Sequence, residues 1–153
     1  KKYLGNQNNE IYMTLESWVK NKAPKKTDFI LQMDIEGSEY STINDTPLEI
    51  LNKFRILVIE FHGLDALFDK MLFDSINLTF KKILKQFEVV HIHPNNCIKP
   101  VECNGIVIPP FMEFTFLRKD RITKKGRNLS FPHQLDRPNV ENYADFSLPK
   151  CWF

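Results

Sequence analysis

The chain has 153 residues, of which 42% are hydrophobic and 26% are charged, with a formal net charge of +2. This length is that of one domain, and the near-balance of charge gives no overall case for nucleic acid or a membrane surface as a partner. No apolar run approaches the roughly 20 residues that span a bilayer, and the first ten residues lack the apolar core of a signal peptide. The composition predicts an ordinary globular domain.

The three cysteines, Cys97, Cys103 and Cys151, form no CxxC pair. An odd count without such pairs indicates reduced thiols and therefore a cytoplasmic location. A zinc site is an alternative, because His91 and His93 precede two of the cysteines closely, but the spacing matches no common zinc template.

The first third of the chain predicts one helix and one strand. Residues 1–9 are polar and predict a loop, and Asn8 or Asn9 is placed to cap a helix over residues 10–20. That helix should end before Pro24, because the residue preceding a proline is disfavoured in the α region. Residues 29–34 are nearly all apolar, which predicts a strand that is buried on both faces of a parallel sheet.

Further helices and strands alternate after this strand. A short helical turn follows Gly37, a helix begins at Thr46 and Pro47, and residues 56–61 predict a second strand. Residues 64–87 have the clearest helical periodicity, with a break near residues 74–75, and residues 88–93 predict a third strand. Residues 94–100 predict a loop.

Two more strands, over residues 105–108 and 112–117, are joined by only three residues. That link is too short for a helical crossover, so we expect the two strands to pair antiparallel or to meet at an edge. Alternating βα units that end in this way predict a mixed sheet with its last strand reversed.

The composition changes after residue 117. Six cations fall within ten residues, namely Arg118, Lys119, Arg121, Lys124, Lys125 and Arg127. A solvated loop is favoured over a nucleic-acid surface, because no aromatic side chain is interleaved for base stacking. The remaining residues predict a coil tail over the domain, anchored by Phe131, Leu135, Phe146 and Trp152.

Each of the three predicted parallel strands ends in a pair of polar residues. Residues i and i+2 of an extended chain share a face, so Asp34 and Glu36 should point together, as should Glu60 and His62, and His91 and His93. Ligands bind outside the carboxyl ends of strands in open α/β sheets. We therefore expect a site at this edge, with Gly37 permitting a tight turn beside the first pair.

Other polar residues at this edge have two interpretations each. Glu39 is either a ligand contact or a first-turn acid favoured by the helix dipole. Asn95 and Asn96 either contact a ligand or form a turn through their side chains. A lone histidine such as His91 or His93 is more often a structural residue than a ligand contact.

The sequence LQMDIEGSEY, followed about twenty residues later by LVIEFH, resembles the C-terminal half of FkbM-type methyltransferases. That family has a D-[IV]-E-G-[AS]-E motif closing the fourth strand of a Rossmann-like sheet. The later HIHPNN, IPPFMEFTFLRKDR and FPHQLD are similar to one branch of it. The resemblance begins near Thr14 and runs to the C-terminus.

The resemblance implies an α/β fold with a Rossmann-like class I methyltransferase sheet, mostly parallel with an antiparallel C-terminal strand. Residues 1–119 would be the C-terminal half of such a domain, and residues 120–153 a basic loop and coil tail packed on it. The family's glycine-rich cofactor loop and its ribose-binding acid do not occur in this sequence, so we expect the chain alone to be incomplete.

The implied activity is methyl transfer from S-adenosylmethionine to a hydroxyl of a sugar or small metabolite, as a small-molecule or glycan acceptor. Catalytic roles fall to Asp34, Glu60 and His62, with His62 as the base and Glu60 orienting it. The cofactor contacts would be Asp34, Ile35, Glu36 and Gly37, and the substrate contacts Glu39, His91, His93, Asn95 and Asn96.

Three alternatives remain. Asp34, Glu60 and His62 could hold Mg or Mn for a metal-assisted transfer, since oxygen-rich ligands with one imidazole suit those ions. A metal-dependent hydrolase would instead use Asp34, Glu36 and His62 together with His91 and His93 as ligands. A non-catalytic module could bind nucleic acid or protein through the basic segment 118–127.

Overall fold

The structure is a computed structural model that describes residues 1–22, 28–124, 126 and 131–152. Its strands are β1 (Tyr3–Leu4), β2 (Tyr12–Met13), β3 (Phe29–Met33), β4 (Phe54–Phe61), β5 (Phe87–Pro94), β6 (Val101–Cys103), β7 (Ile106–Ile108) and β8 (Met112–Arg118). Its α-helices are α1 (Leu15–Lys22), α2 (Glu39–Asp45), α3 (Leu48–Leu51) and α4 (Lys70–Leu84). Short 3₁₀ segments cover Leu64–Phe68, Lys119–Arg121 and Lys150–Trp152. The described chain is mixed α/β, as predicted.

The main sheet has four strands in the order β3-β4-β8-β5. Strands β3 and β4 are parallel, and β8 runs antiparallel to both β4 and β5. Three strands therefore point the same way, and the last strand lies reversed between two of them. The predicted reversal of the last strand is confirmed, although only one of the three hydrogen-bonded strand pairs is parallel.

Residues 105–108 and 112–117 were expected to pair antiparallel or to meet at an edge, and the antiparallel pairing is wrong. Strand β7 pairs with β6 in a separate hairpin, and the two strands are joined by Asn104 and Gly105, both with positive φ. An Asn-Gly pair is the preferred two-residue hairpin turn. Pro109 and Pro110 then follow β7; a proline has no N–H for a ladder bond, and the chain passes from there into the main sheet.

The first helix begins later than predicted. Residues 12–13 form β2, which pairs with β1, and α1 starts at Leu15. Thr14 caps this helix, since its Oγ1 accepts a hydrogen bond from the Ser17 amide at 3.2 Å. The Asn9 side chain instead accepts from the amides of Ile11 and Tyr12 within the preceding loop. Pro24, where the helix was predicted to stop, lies outside the described residues.

The long helical pattern of residues 64–87 is divided at Asp69, not near residues 74–75. Asp69 ends the 3₁₀ segment and caps α4, because its Oδ1 accepts hydrogen bonds from the amides of Met71 and Leu72. A short acidic side chain at this position satisfies helix N–H groups that have no partner within the helix.

Strand β3 is not buried on both faces. Leu31 and Met33 are buried, whereas Ile30 is 58% exposed and Gln32 is also exposed. Within the described chain, β3 hydrogen-bonds to β4 alone among the strands, so it is an edge of the sheet. The near-continuous apolar sequence of β3 predicted burial on both faces, whereas only the face that carries Leu31 and Met33 is buried.

The core lies between the sheet and α4. Phe61 is fully buried, and its ring centroid lies 4.8 Å from that of Phe80 on α4 and 5.7 Å from that of Phe114 on β8. The burial of Phe61 fixes which face of β4 points to the core, and so places Glu60 and His62 on the other face. No helix in the described ranges is long and apolar enough to cross a bilayer.

Only some of the predicted anchor residues attach the tail to the rest of the domain. Phe131 and Trp152 pack against the core, and the Trp152 indole donates to the Val107 carbonyl at 3.1 Å. Phe146 is half-buried, but Leu135 is 74% exposed and is not an anchor. The buried tail residue that the sequence prediction missed is Leu148.

Two arginines of the basic segment, Arg118 and Arg121, are engaged with neighbouring carboxylates. Arg118 bonds to Asp28 at 2.7 Å and to Asp120 at 2.7 Å, and Arg121 pairs with Asp28 as well. These arginines hold the pKa of Asp28 below its ordinary value, mainly through the Arg121 hydrogen bond. Lys125 and Arg127 lie outside the described residues.

Candidate active site

The carboxyl ends of β3 and β4 bring acidic groups together around one histidine. The two strands are in parallel register, with Met33 opposite Ile59, so Asp34 and Glu60 emerge side by side. His62 follows two residues after Glu60 and shares its face. The His62 side chain is 12% exposed, so its ring is held inside the cluster rather than in solvent.

The turn after β3 is built on a buried carboxylate. Glu36 and Gly37 both have positive φ, 56° and 96°; glycine adopts this conformation freely, and a residue with a Cβ does so at a cost. The amides of Ile35 and Gly37 donate to Glu39 Oε1 at 3.0 and 3.2 Å. Glu39 is the first residue of α2 and is 0% exposed. Its carboxylate therefore holds the backbone of this turn in place.

The same oxygen of Glu39 also orients His62. The His62 Nδ1 lies 3.2 Å from Glu39 Oε1. In the tautomer in which Nδ1 donates to Glu39 Oε1, the lone pair of a neutral imidazole is on Nε2. The Phe111 ring, whose centroid is 4.8 Å from that of His62, packs beside the imidazole. Glu39 thus contacts Nδ1, whereas Glu60, for which an orienting role was predicted, lies 3.7 Å from Nε2.

Three carboxylates surround the free nitrogen. His62 Nε2 lies 3.7 Å from Asp34 Oδ1, 3.5 Å from Glu36 Oε2 and 3.7 Å from Glu60 Oε2. Asp34 is half-exposed and Glu36 is 86% exposed, whereas Glu60 is mostly buried. The cluster therefore opens to solvent on the side of Asp34 and Glu36.

Asn95 joins this cluster from the end of β5. Its Nδ2 donates to Glu60 Oε1 at 2.8 Å, and its backbone amide donates to the Phe111 carbonyl at 2.9 Å. Its Oδ1 also accepts a hydrogen bond from the Cys97 amide at 2.9 Å, which is the side-chain turn contact predicted as one of its two interpretations. In this arrangement Asn95 fixes the Glu60 carboxylate and leaves its other oxygen, Oε2, beside His62.

His91 and His93 do not converge with the Asp34 cluster as predicted. His91 Nε2 lies 2.9 Å from Asp136 Oδ1, and His93 Nε2 lies 3.7 Å from Asp145 Oδ2, both in the tail. The physical reason is the strand order: β8 lies between β4 and β5, and neighbouring strands are about 4.8 Å apart. The histidines are thus directed to the tail.

Asn96 is also occupied by the tail. It is buried, its Nδ2 donates to the carbonyls of Val140 and Tyr143, and its Oδ1 accepts from the Val140 amide. Both side-chain polar atoms are therefore used to hold this segment of the tail, and these contacts do not form the local turn that was one of the two interpretations of Asn96.

Glu113 on β8 was missed by the sequence prediction. It lies opposite Glu60 on one side and His93 on the other, so the three side chains share one face of the sheet. Burial raises the pKa of Glu113, His93 opposes the rise and Glu60 adds to it. Residues 112–118 alternate between apolar and polar side chains, which was the available sequence signal. This alternation identifies Glu113 only once β8 is known to lie between β4 and β5.

The residues that meet the geometric requirement for a cation are Asp34, Glu39 and His62. One ligand atom from each lies within 4.8 Å of the others, and no other such group occurs among the described residues. The predicted trio of Asp34, Glu60 and His62 differs from this group by one member, Glu39, which the sequence left as either a ligand contact or a first-turn acid.

Residues 7–87 match the sequence model of a protein family that is described as “Methyltransferase FkbM domain”. The matched segment covers more than half of the chain and contains the turn after β3, Glu39, Glu60 and His62. A search of curated proteins and a search of solved structures each gave no significant match. The chain therefore belongs to the FkbM methyltransferase domain family.

Proposed function

We propose that this protein transfers a methyl group from S-adenosylmethionine to a hydroxyl of a sugar or a small metabolite, and that its sheet is the second half of a Rossmann-like class I sheet. Family membership supports methyl transfer. The strand order β3-β4-β8-β5, with only the last strand reversed, supports the sheet assignment. The three free cysteines support a cytoplasmic location.

The turn after β3 fits one side of a cofactor pocket. Asp34, Ile35, Glu36 and Gly37 would hold the cofactor, because this turn places two solvent-facing carboxylates at the sheet edge. Carboxylates accept hydrogen bonds from ribose hydroxyls and favour a cationic ligand. When bound, S-adenosylmethionine supplies an electrophilic methyl group on positively charged sulfur.

A glycine-rich loop for the rest of the cofactor does not occur in this sequence. The open edge of β3 is the position at which another segment could extend the sheet.

The observation that carries the proposal is the Glu39–His62 pair. Glu39 Oε1 binds Nδ1, so Nε2 is the nitrogen that can take a proton from an acceptor hydroxyl. This is the arrangement of a base held by a third group. Asp34 and Glu60, each 3.7 Å from Nε2, are placed to accept hydrogen bonds from neighbouring hydroxyls of a polyol.

The test is transfer of tritium-labelled methyl groups from S-adenosylmethionine to a panel of sugars and polyols by the full-length protein. His62→Gln should lower the turnover by about 10²- to 10⁴-fold, the range for loss of a general base. His133→Gln is the matched control, since His133 lies in the tail and hydrogen-bonds to the Leu135 amide. Turnover by His62→Gln equal to that of the control would refute the base assignment.

A further inference from the structure

The tail of the chain, residues 131–152, is bound to β5 by two histidine–aspartate pairs. His91 Nε2 lies 2.9 Å from Asp136 Oδ1, and His93 Nε2 lies 3.7 Å from Asp145 Oδ2. The two pairs follow the same order along β5 and along the tail. Between them, the tail extends past the end of β5 and returns to it.

The tail reverses direction in a turn that a buried side chain holds. The Tyr143 amide donates to the Val140 carbonyl at 3.0 Å, which closes the turn. Asn96 is only 2% exposed. Its Nδ2 donates to the carbonyls of Val140 and Tyr143 at 3.1 and 2.9 Å, and its Oδ1 accepts from the Val140 amide at 2.8 Å. Both side-chain donors and the acceptor oxygen are therefore used, and burial prevents water from replacing these partners.

The residue before Asn96 is bound to the candidate active site. Asn95 Nδ2 donates to Glu60 Oε1 at 2.8 Å. The Asn95 backbone amide donates to the Phe111 carbonyl, and its Oδ1 accepts from the Cys97 amide, both at 2.9 Å. Two consecutive side chains thus connect the end of β5 to the tail on one side and to Glu60 on the other.

We propose that Asn96 is a positioning residue that holds Glu60 in place through Asn95, so that the tail is a working part of the methyl-transfer site. This inference rests on the proposed function for the role of Glu60 toward the acceptor. Without the tail turn, the backbone at Asn96 is released, Asn95 moves away from Glu60, and the carboxylate can rotate away from His62. Asn95, Asn96 and the tail all follow the matched segment 7–87, so Glu60 depends on residues outside that segment.

The magnitude of the effect follows from how closely Glu60 must be placed. Its Oε2 lies 3.7 Å from His62 Nε2, and a displacement of about 1 Å in a group that aligns a substrate can cost about 10²-fold in rate. The hydrogen bond from Asn95 is the contact in the described chain that fixes the other oxygen, Oε1. Loss of that one contact therefore has a measurable effect on the acceptor.

The first test is a double-mutant cycle in urea denaturation of the full-length protein. Asn96→Ser keeps a small polar group and is chosen so that the variant stays folded. If Asn96 holds Glu60 through Asn95, Asn96→Ser should change the unfolding equilibrium constant roughly threefold less in a Glu60→Ala background than in the wild type. Trp152→Phe is the matched control, because it removes another buried attachment of the tail, the hydrogen bond to the Val107 carbonyl. Its effect should be equal in both backgrounds.

The second test is steady-state kinetics of methyl transfer with the same variants. Asn96→Ser should raise the KM for the acceptor about tenfold, which corresponds to the loss of about one hydrogen bond, and should leave the affinity for S-adenosylhomocysteine unchanged. Asn95→Ala, which removes the link itself, should have the same effect. Trp152→Phe should leave both quantities unchanged. A purely structural role of Asn96 would lower the amount of active protein, and so kcat, without changing this KM.

Additive effects of Asn96→Ser and Glu60→Ala in the cycle would overturn the inference, and so would an unchanged acceptor KM in Asn96→Ser. Absence of methyl transfer by the wild-type protein would instead refute the proposed function. The cycle needs neither cofactor nor acceptor, so it still decides whether the position of Glu60 depends on Asn96.

Discussion

Replacement of Glu39 by alanine tests whether a buried carboxylate holds the turn after β3. Three donors, the amides of Ile35 and Gly37 and the Nδ1 of His62, share Glu39 Oε1 as their acceptor. Each donor that loses its acceptor costs about 1 kcal/mol or more when it is partly buried. We expect Glu39→Ala to lower the free energy of unfolding by about 3 kcal/mol, which corresponds to a fall in Tm of about 6–12 °C for a chain of this size.

The assay is urea denaturation with parallel thermal melting. Glu39→Gln keeps a side-chain carbonyl for the two amides, so it should lose only about 1 kcal/mol. Glu102→Ala, at an exposed position on β6, should stay within about 0.5 kcal/mol of the wild type. A loss for Glu39→Ala that is no larger than that of Glu102→Ala would refute the assignment of Glu39 to the turn.

Two further predictions concern the sheet. Phe61→Ala, which empties the space between Phe80 and Phe114, should cost about 3–5 kcal/mol in urea denaturation, and a loss under about 1 kcal/mol would contradict the packing described. Burial raises the pKa of Glu113, so the folded state keeps that proton longer and stability should fall as pH rises through the raised pKa. Melting curves of Glu113→Gln should lack this decline, and an unchanged pH profile would argue against it.

The sequence predicted the parts of the fold that rest on local patterns. The apolar runs of β3 and β4 end in polar residues, and their parallel pairing follows from the helices between them. The convergence of Asp34, Glu36, Glu60 and His62 was predictable for the same reason, because carboxyl ends of parallel strands meet at one edge.

The parts that failed depend on which strands are neighbours. Nothing in the sequence near His91 or His93 indicates that β8 separates them from β4, since this order is a long-range property of the sheet. Glu39 is a similar case. A first-turn acid usually faces solvent, and its burial here follows from how the turn at Gly37 directs α2 back against His62.

The most direct test of the central claim, that the edge formed by Asp34 and its neighbours is one wall of a methyl-transfer site, is calorimetric titration of the full-length protein with S-adenosylhomocysteine. We predict one site per chain, with affinity reduced at least tenfold in Asp34→Ala. Absence of binding to the wild-type protein, or equal affinity in the Asp34→Ala variant, would contradict the claim.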